Sequence, residues 1–198
     1  MVRSRMSSRS YLGVLAGLIA LVIPAGIHAQ VDPMAQNWMD GKVKTGRLIE
    51  QHVLVDGSPD EIFDLWATAK GADKFFGSDA KIEPRVGGLY EISFGQRADG
   101  QIAGPRQTRI LRYMPGKALD FEWEMPVFAA ELNTRPLPTW VEIEFESFSD
   151  DPERTVVHLT HHGFGQSEAW DRSYEFFQRG WFDIMFRLKL HCTIHRSS

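Results

Sequence analysis

The sequence predicts an α+β domain: a curved antiparallel sheet wrapped around one long C-terminal helix. Three observations predict it. Two stretches alternate apolar and acidic residues, as half-buried strands do. In one, Leu119, Phe121, Trp123 and Met125 alternate with Asp120, Glu122 and Glu124; in the other, Val141, Ile143 and Phe145 alternate with Glu142, Glu144 and Glu146. Ser58-Pro59-Asp60-Glu61 is a helix start, with a capping serine, a proline at the first helical position and a glutamate placed to close a capping box. Near the C-terminus, Trp170, Tyr174, Phe177, Trp181 and Leu188 fall on one face of a helix of about 20 residues.

The elements follow in order. Residues 1–29 read as an export signal: Arg3, Arg5 and Arg9 precede the apolar run YLGVLAGLIALVIP, and AGIHA offers cleavage after Ala29. The run is short of the roughly 20 residues a spanning helix needs, so no stable membrane span is expected after cleavage. The expected location is periplasmic or secreted; the alternative is a chain anchored by an uncleaved segment. Residues 30–44 show no period and read as a linker or N-terminal arm, with Trp38 and Met39 tucked against the domain that spans 45–198. Residues 45–58 are strand-like, with Val53 and Val55 adding β-branched weight. Ile62, Phe63, Leu65 and Trp66 form the apolar face of the capped helix. A second short helix or turn over 70–77 stops at Gly77.

Strands come next. Gly87-Gly88 marks a turn or bulge, Asp99-Gly100 a hairpin, and Pro115-Gly116 a turn between QTRILRYM and ALDFEWEMP. SDDPER turns the chain into the last strand, TVVHLTHHG. Ser167 caps the final helix. A sheet that curves over a single helix must bury one face against it and tends to leave an apolar cavity between them.

Composition narrows the function classes. Hydrophobic residues at 43% and aromatics at 12% suffice for a real core. The net charge of -4 becomes -7 once 1–29, with three arginines and no acid, is removed, which excludes the electrostatic footprint of a nucleic-acid binder. Cys192 is the one cysteine, so no intrachain disulfide forms; it reads as a packed residue of the last helix.

Four stretches carry a family resemblance: SPDEIFDLWATAKGADKFFG, DAKIEPRVGGLYEISF, GKALDFEWEMP, and TVVHLTHHGFG with RGWFDIMFRLKLHC. In this order they resemble the START-like, SRPBCC superfamily. They are most like the branch named for the C-terminal domain of the activator of heat-shock protein 90 ATPase (AHSA-type), over about residues 45–195. The resemblance implies the helix-grip, birch-pollen-allergen-like fold and its cavity. It does not imply a reaction, because the branch has no shared catalytic set. Superfamily members include lipid and hormone binders, cyclases and chaperone regulators. Phe75-Phe76 stands where the branch commonly has a tryptophan pair or Trp-Phe. An exported protein would not meet a cytosolic chaperone ATPase.

The candidate site is therefore the cavity. Expected lining residues are Trp66, Phe76, Tyr90, Phe94, Phe121, Trp123, His161, Trp170, Tyr174, Phe177 and Trp181. In VVHLTHH the strand period turns His161 inward with Val157 and Leu159, and His158 and His162 outward. Adjacent strand residues do not share an ion, and His158 and His162 stand roughly 13 Å apart at strand rise, so no metal site is expected. Glu122, Glu124, Glu142, Glu144 and Glu146 read as a solvated sheet face. Arg109 and Arg112 read as surface residues, one of them within reach of a ligand carboxylate. Gly87-Gly88 lacks the lysine of a phosphate loop, and no nucleophile motif occurs. No cofactor is expected. The expected partner is a small apolar or amphipathic molecule. Two alternatives stand beside it: an enzyme of cyclase or hydrolase type using His161 as acid or base, and a protein-interaction module using the sheet's acidic face.

Overall fold

The protein is described by a computed structural model covering residues 30–31, 47–98, 100–101, 103–134, 137 and 139–196. The expected signal, Trp38, Met39 and Asp99 lie outside the described residues. Strands β1 (Gln30–Val31) and β2 (Arg47–Asp56) are followed by helices α1 (Pro59–Ala67) and α2 (Ala69–Ala72). Next come strands β3 (Ser78–Ile82), β4 (Tyr90–Ser93), β5 (Ile110–Met114) and β6 (Ala118–Trp123), and a 3₁₀ helix (Val127–Leu132). Strands β7 (Thr139–Phe148) and β8 (Asp151–Phe164) lead into helix α3 (Glu168–Arg196).

Six strands form one antiparallel sheet in the order β1-β5-β6-β7-β8-β2, and β3 and β4 pair as a separate ribbon joined to it by the Leu89–Arg109 bridge. Gln30 and Val31 thus pair with Tyr113 and Arg112, where the sequence predicts only an aperiodic arm. Edge pairing rests on backbone groups and needs no side-chain period.

The helix starts form as the sequence predicts. The Ser58 amide donates to Glu61 Oε2 at 2.8 Å while the Glu61 amide points at Ser58 Oγ at 3.5 Å, which closes the capping box. α2 is capped in turn by the Thr68 hydroxyl, accepting from the Gly71 amide at 3.1 Å. α3 runs 29 residues, longer than its aromatic stripe predicts, because apolar positions continue through Ile184, Met185, Leu188 and Cys192 on the buried side.

The core fills the space between the concave sheet face and the helices. Leu119, Phe121, Trp123, Val141, Ile143, Phe145, Val157 and Leu159 point into it, as the alternation predicts. The convex face departs from the expected solvated surface. Asp120 is only 3% exposed, and Arg112 lies against both its carboxylate oxygens at 2.9 Å. Arg112 also bonds Glu142, and Glu142 contacts His162 Nε2 at 3.1 Å. His162 is stacked on Trp140 at 4.7 Å. Glu144 and Glu146 keep the expected exposure. The reason for the departure is the strand register. It sets Arg112 across from Asp120, and Asp120 across from Glu142. One arginine therefore sits within reach of several carboxylates.

Burial pushes the Asp120 carboxyl up to about 7 despite the opposing pull of Arg112. Its contribution to stability is therefore largest in acid and is lost as the pH rises through about 7. Arg112→Met should cost about 3 kcal/mol at pH 8, where it leaves buried carboxylates without their cation. The cost should shrink at pH 5, where Asp120 is protonated. Urea titrations at the two pH values check this; equal losses would mean that Arg112 acts only by packing.

Candidate functional site

An apolar groove of about 640 Å³ lies at one end of the grip, between the end of β6, the β4–β5 loop, the 3₁₀ helix and α3. Four rings form its floor. Phe76 and Trp123 stack at 5.7 Å and 9°. Trp181 sits 5.0 Å from Trp123 and 5.8 Å from Phe76. Phe94 closes against Phe76 at 5.9 Å. Phe128 and Phe176 meet edge to face at 5.7 Å on the opposite rim.

The surrounding chain is tied to hold this shape. Asn133 clips the segment around the 3₁₀ helix, accepting from the Met125 amide at 2.7 Å and donating to the Met125 carbonyl at 3.3 Å. Glu124 Oε2 accepts from the Arg106 amide at 2.9 Å, which joins the β4–β5 loop to the end of β6. Gly104, at φ +123°, lets that loop pass over β4: a Cβ there would lie 2.0 Å from the Ile92 carbonyl oxygen.

Of the eleven expected lining residues, Phe76, Phe94, Trp123, Phe177 and Trp181 border the groove, and Trp66, Tyr90, Phe121, His161, Trp170 and Tyr174 do not. Ring packing explains the difference. Tyr90 stacks on Phe121 at 4.0 Å and donates its hydroxyl to the Trp66 carbonyl at 3.0 Å. Trp66 lies 5.0 Å from Phe75 and 5.1 Å from Phe76. Tyr174 donates to the Leu48 carbonyl at 3.2 Å beneath the Arg47 guanidinium, and Trp170 packs on Phe164. These rings pack against one another and against backbone carbonyls, away from the groove at the end of the grip.

His161 does point inward, as its strand position predicts, but it is fully buried in the core. Trp181 Nε1 donates to its Nδ1 at 3.0 Å, and Phe164 and Phe177 present their rings at 4.6 and 4.8 Å. Burial, and secondarily His162, hold it well below the ordinary histidine range, so it is neutral. The bond from Trp181 makes Nδ1 the acceptor and leaves the proton on Nε2, which has no hydrogen-bond partner among the described residues. The ring orients a groove tryptophan rather than facing a ligand.

Sequence reasoning missed much of the rim: Arg97, Arg106, Met125, Phe128, Asp183 and Arg187. The β4–β5 loop and the 3₁₀ segment have no period to read. The lining contains no histidine, cysteine, serine or tyrosine among the described residues. Arg97, Arg106 and Arg187 line it with Glu124 and Asp183; Glu124 accepts from the Arg106 backbone, and Arg106 Nε lies 3.9 Å from Glu91 Oε1. The arrangement suits an apolar body with an anionic end.

A second concavity of about 550 Å³ lies between α1, α2 and the end of α3. It holds His191 and His195, one helical turn apart with rings at 4.2 Å. His195 Nδ1 contacts the His191 carbonyl at 2.8 Å. Burial, then His195 and Lys74, lower the His191 imidazole. Burial pushes the neighbouring Cys192 thiol up to about 11, far from a reactive thiolate. Among the described residues, no three histidine, cysteine or acidic side chains come together as a metal-binding group.

Comparisons with known proteins agree on the fold. A protein from Mesorhizobium loti superposes with a TM-score of 0.57 at 15% identity, over 77% of this chain and 99% of its own. The Aha1 dimer from Colwellia psychrerythraea gives 0.55 at 17% identity, over 74% and 96%. An HSP90 activator from Plasmodium falciparum gives 0.54 at 17%, over 73% and 95%. No curated protein matches the chain in sequence. The family profile of Activator of Hsp90 ATPase homolog 1-like proteins matches residues 56–192, and the chain belongs to that family.

Proposed function

We propose that this protein is an exported helix-grip domain that binds a small amphipathic molecule with an anionic end. The observation that carries the reading is the groove: about 640 Å³, floored by Phe76, Phe94, Trp123 and Trp181, with Arg97, Arg106 and Arg187 on its wall. That volume falls within the range of small-molecule sites. The apolar floor with polar groups confined to the wall favours binding of an amphipathic molecule. Export rests on the basic, then apolar, N-terminal stretch.

A protein-binding role is the competing reading, favoured by the family and by the HSP90 activator among the structural neighbours. The exposed Glu144 and Glu146 would serve it. Crosslinked partners lost on replacing these two residues, together with a groove that binds nothing, would support it.

Two outcomes test the groove. cis-Parinaric acid should bind the protein with enhanced fluorescence, and its methyl ester more weakly. Phe94→Ser, at a floor residue 44% exposed, should weaken the acid by roughly tenfold while the chain keeps a cooperative unfolding transition. Native mass spectrometry of protein recovered from a periplasmic extract should also show a lipid-sized adduct. Equal affinity for acid and ester would remove the arginines from the reading; no binding of either would remove the groove.

His161→Leu separates binding from acid–base chemistry. It should cost about 1–3 kcal/mol of stability, because the buried Trp181 Nε1 loses its acceptor, while the groove still binds the probe. A variant of undiminished stability that turned over a substrate no longer would restore the enzyme reading.

A further inference from the structure

We infer that the outer face of α3 docks on an anionic phospholipid surface. Phe182, Phe186, Leu190 and Ile194 recur every fourth residue and are 65%, 59%, 49% and 55% exposed. The same stretch turns Ile184, Met185, Leu188 and Cys192 into the core. A helix on a globular surface needs one apolar stripe; this one carries two, and the second is about half exposed or more at each position. Four such positions extend about 18 Å along a helix, a long narrow strip without the pocket a protein side chain would fill.

Charge identifies the occupant. Exposed Arg179, Arg187 and Lys189 accompany the stripe against one acid, Asp183, in a chain whose net charge is -4. A two-fold contact of the stripe with a second copy would bring these cations together, so self-association is opposed. An anionic lipid surface receives both components: phenyl rings at the level of the acyl boundary and guanidinium or ammonium groups among the phosphates. No described helix is long and apolar enough to cross a membrane, so the contact is a surface one. The inference stands apart from ligand binding in the groove.

The test uses the full chain with Leu190→Cys carrying a nitrobenzoxadiazole label; the native thiol of Cys192 is buried. Its emission should shift to the blue on vesicles of phosphatidylcholine and phosphatidylglycerol in equal parts. Pure phosphatidylcholine should leave it unchanged, and added salt should reverse it. The same label at Asp150→Cys, on the β7–β8 turn, should not respond, which separates docking by α3 from capture through the N-terminal segment. Phe182→Glu with Phe186→Glu in the labelled chain should weaken partitioning at least about tenfold, and both sites are exposed, so the unfolding midpoint should hold. The inference is overturned by an unresponsive label, by a shift the glutamates do not weaken, or by a blue-shifted label before vesicles are added. The last outcome would place protein, a second copy or another segment of this chain, on the stripe.

Discussion

The hydrogen bond from Trp181 Nε1 to His161 Nδ1, 3.0 Å long and fully buried, joins the long helix to the last strand at the centre of the grip. Its position governs what the fold can hold. A helix pinned this way packs Phe164 and Phe177 against the imidazole in the middle of the concave face. The apolar groove lies where the sheet ends, beyond Trp123, and the indole of Trp181 is part of its floor. A histidine that keeps the proton on Nε2 and never charges near neutral pH is well suited to that task. A charged ring in the same place would have to displace the tryptophan N–H or remain desolvated.

The two sheet faces thus solve different problems with the same alternation. Inward positions carry bulk: Leu119, Phe121 and Trp123 on β6, facing Ile143 and Val141 on β7. Outward positions carry charge, but the register gathers Arg112, Asp120 and Glu142 into one partly buried knot instead of a row of solvated glutamates. Glu146, at the exposed end of β7, lies 3.3 Å from His158 Nε2. Burial separates the two ends: in water such pairs contribute little, and out of it each charge depends on its partner.

Much of the fold is legible in the chain because local signals and global packing agree. The Ser58 capping box, the alternation over 119–125 and 141–146, and the inward turn of His161 can be read from spacing alone, and they occur as read. The site is legible only in part. Tyr90 and Phe121 are as aromatic as Phe76 and Trp123, and no pattern says that the first pair stacks shut while the second borders solvent. That depends on where rings from distant segments meet. The rim depends on segments without a period, such as the Asn133 clip and the close pass of Gly104 over Ile92. His191 and His195, four apart on α3, are a helical pair that spacing alone makes readable.

The groove and the outer stripe share a helix, and this limits how each can work. Asp183 and Arg187 border the groove while Phe182 and Phe186, their chain neighbours, face outward. A rigid helix couples the two faces, since α3 is continuous from Glu168 to Arg196 and its inner side is held by Trp181, Ile184, Met185 and Leu188. Contact along the outer face would therefore orient the domain without opening the core. It would set the groove mouth, with Phe128 and Phe176 on its rim, beside whatever surface the helix touches. Access to the groove is then a matter of which surface the domain rests on, and needs no moving lid.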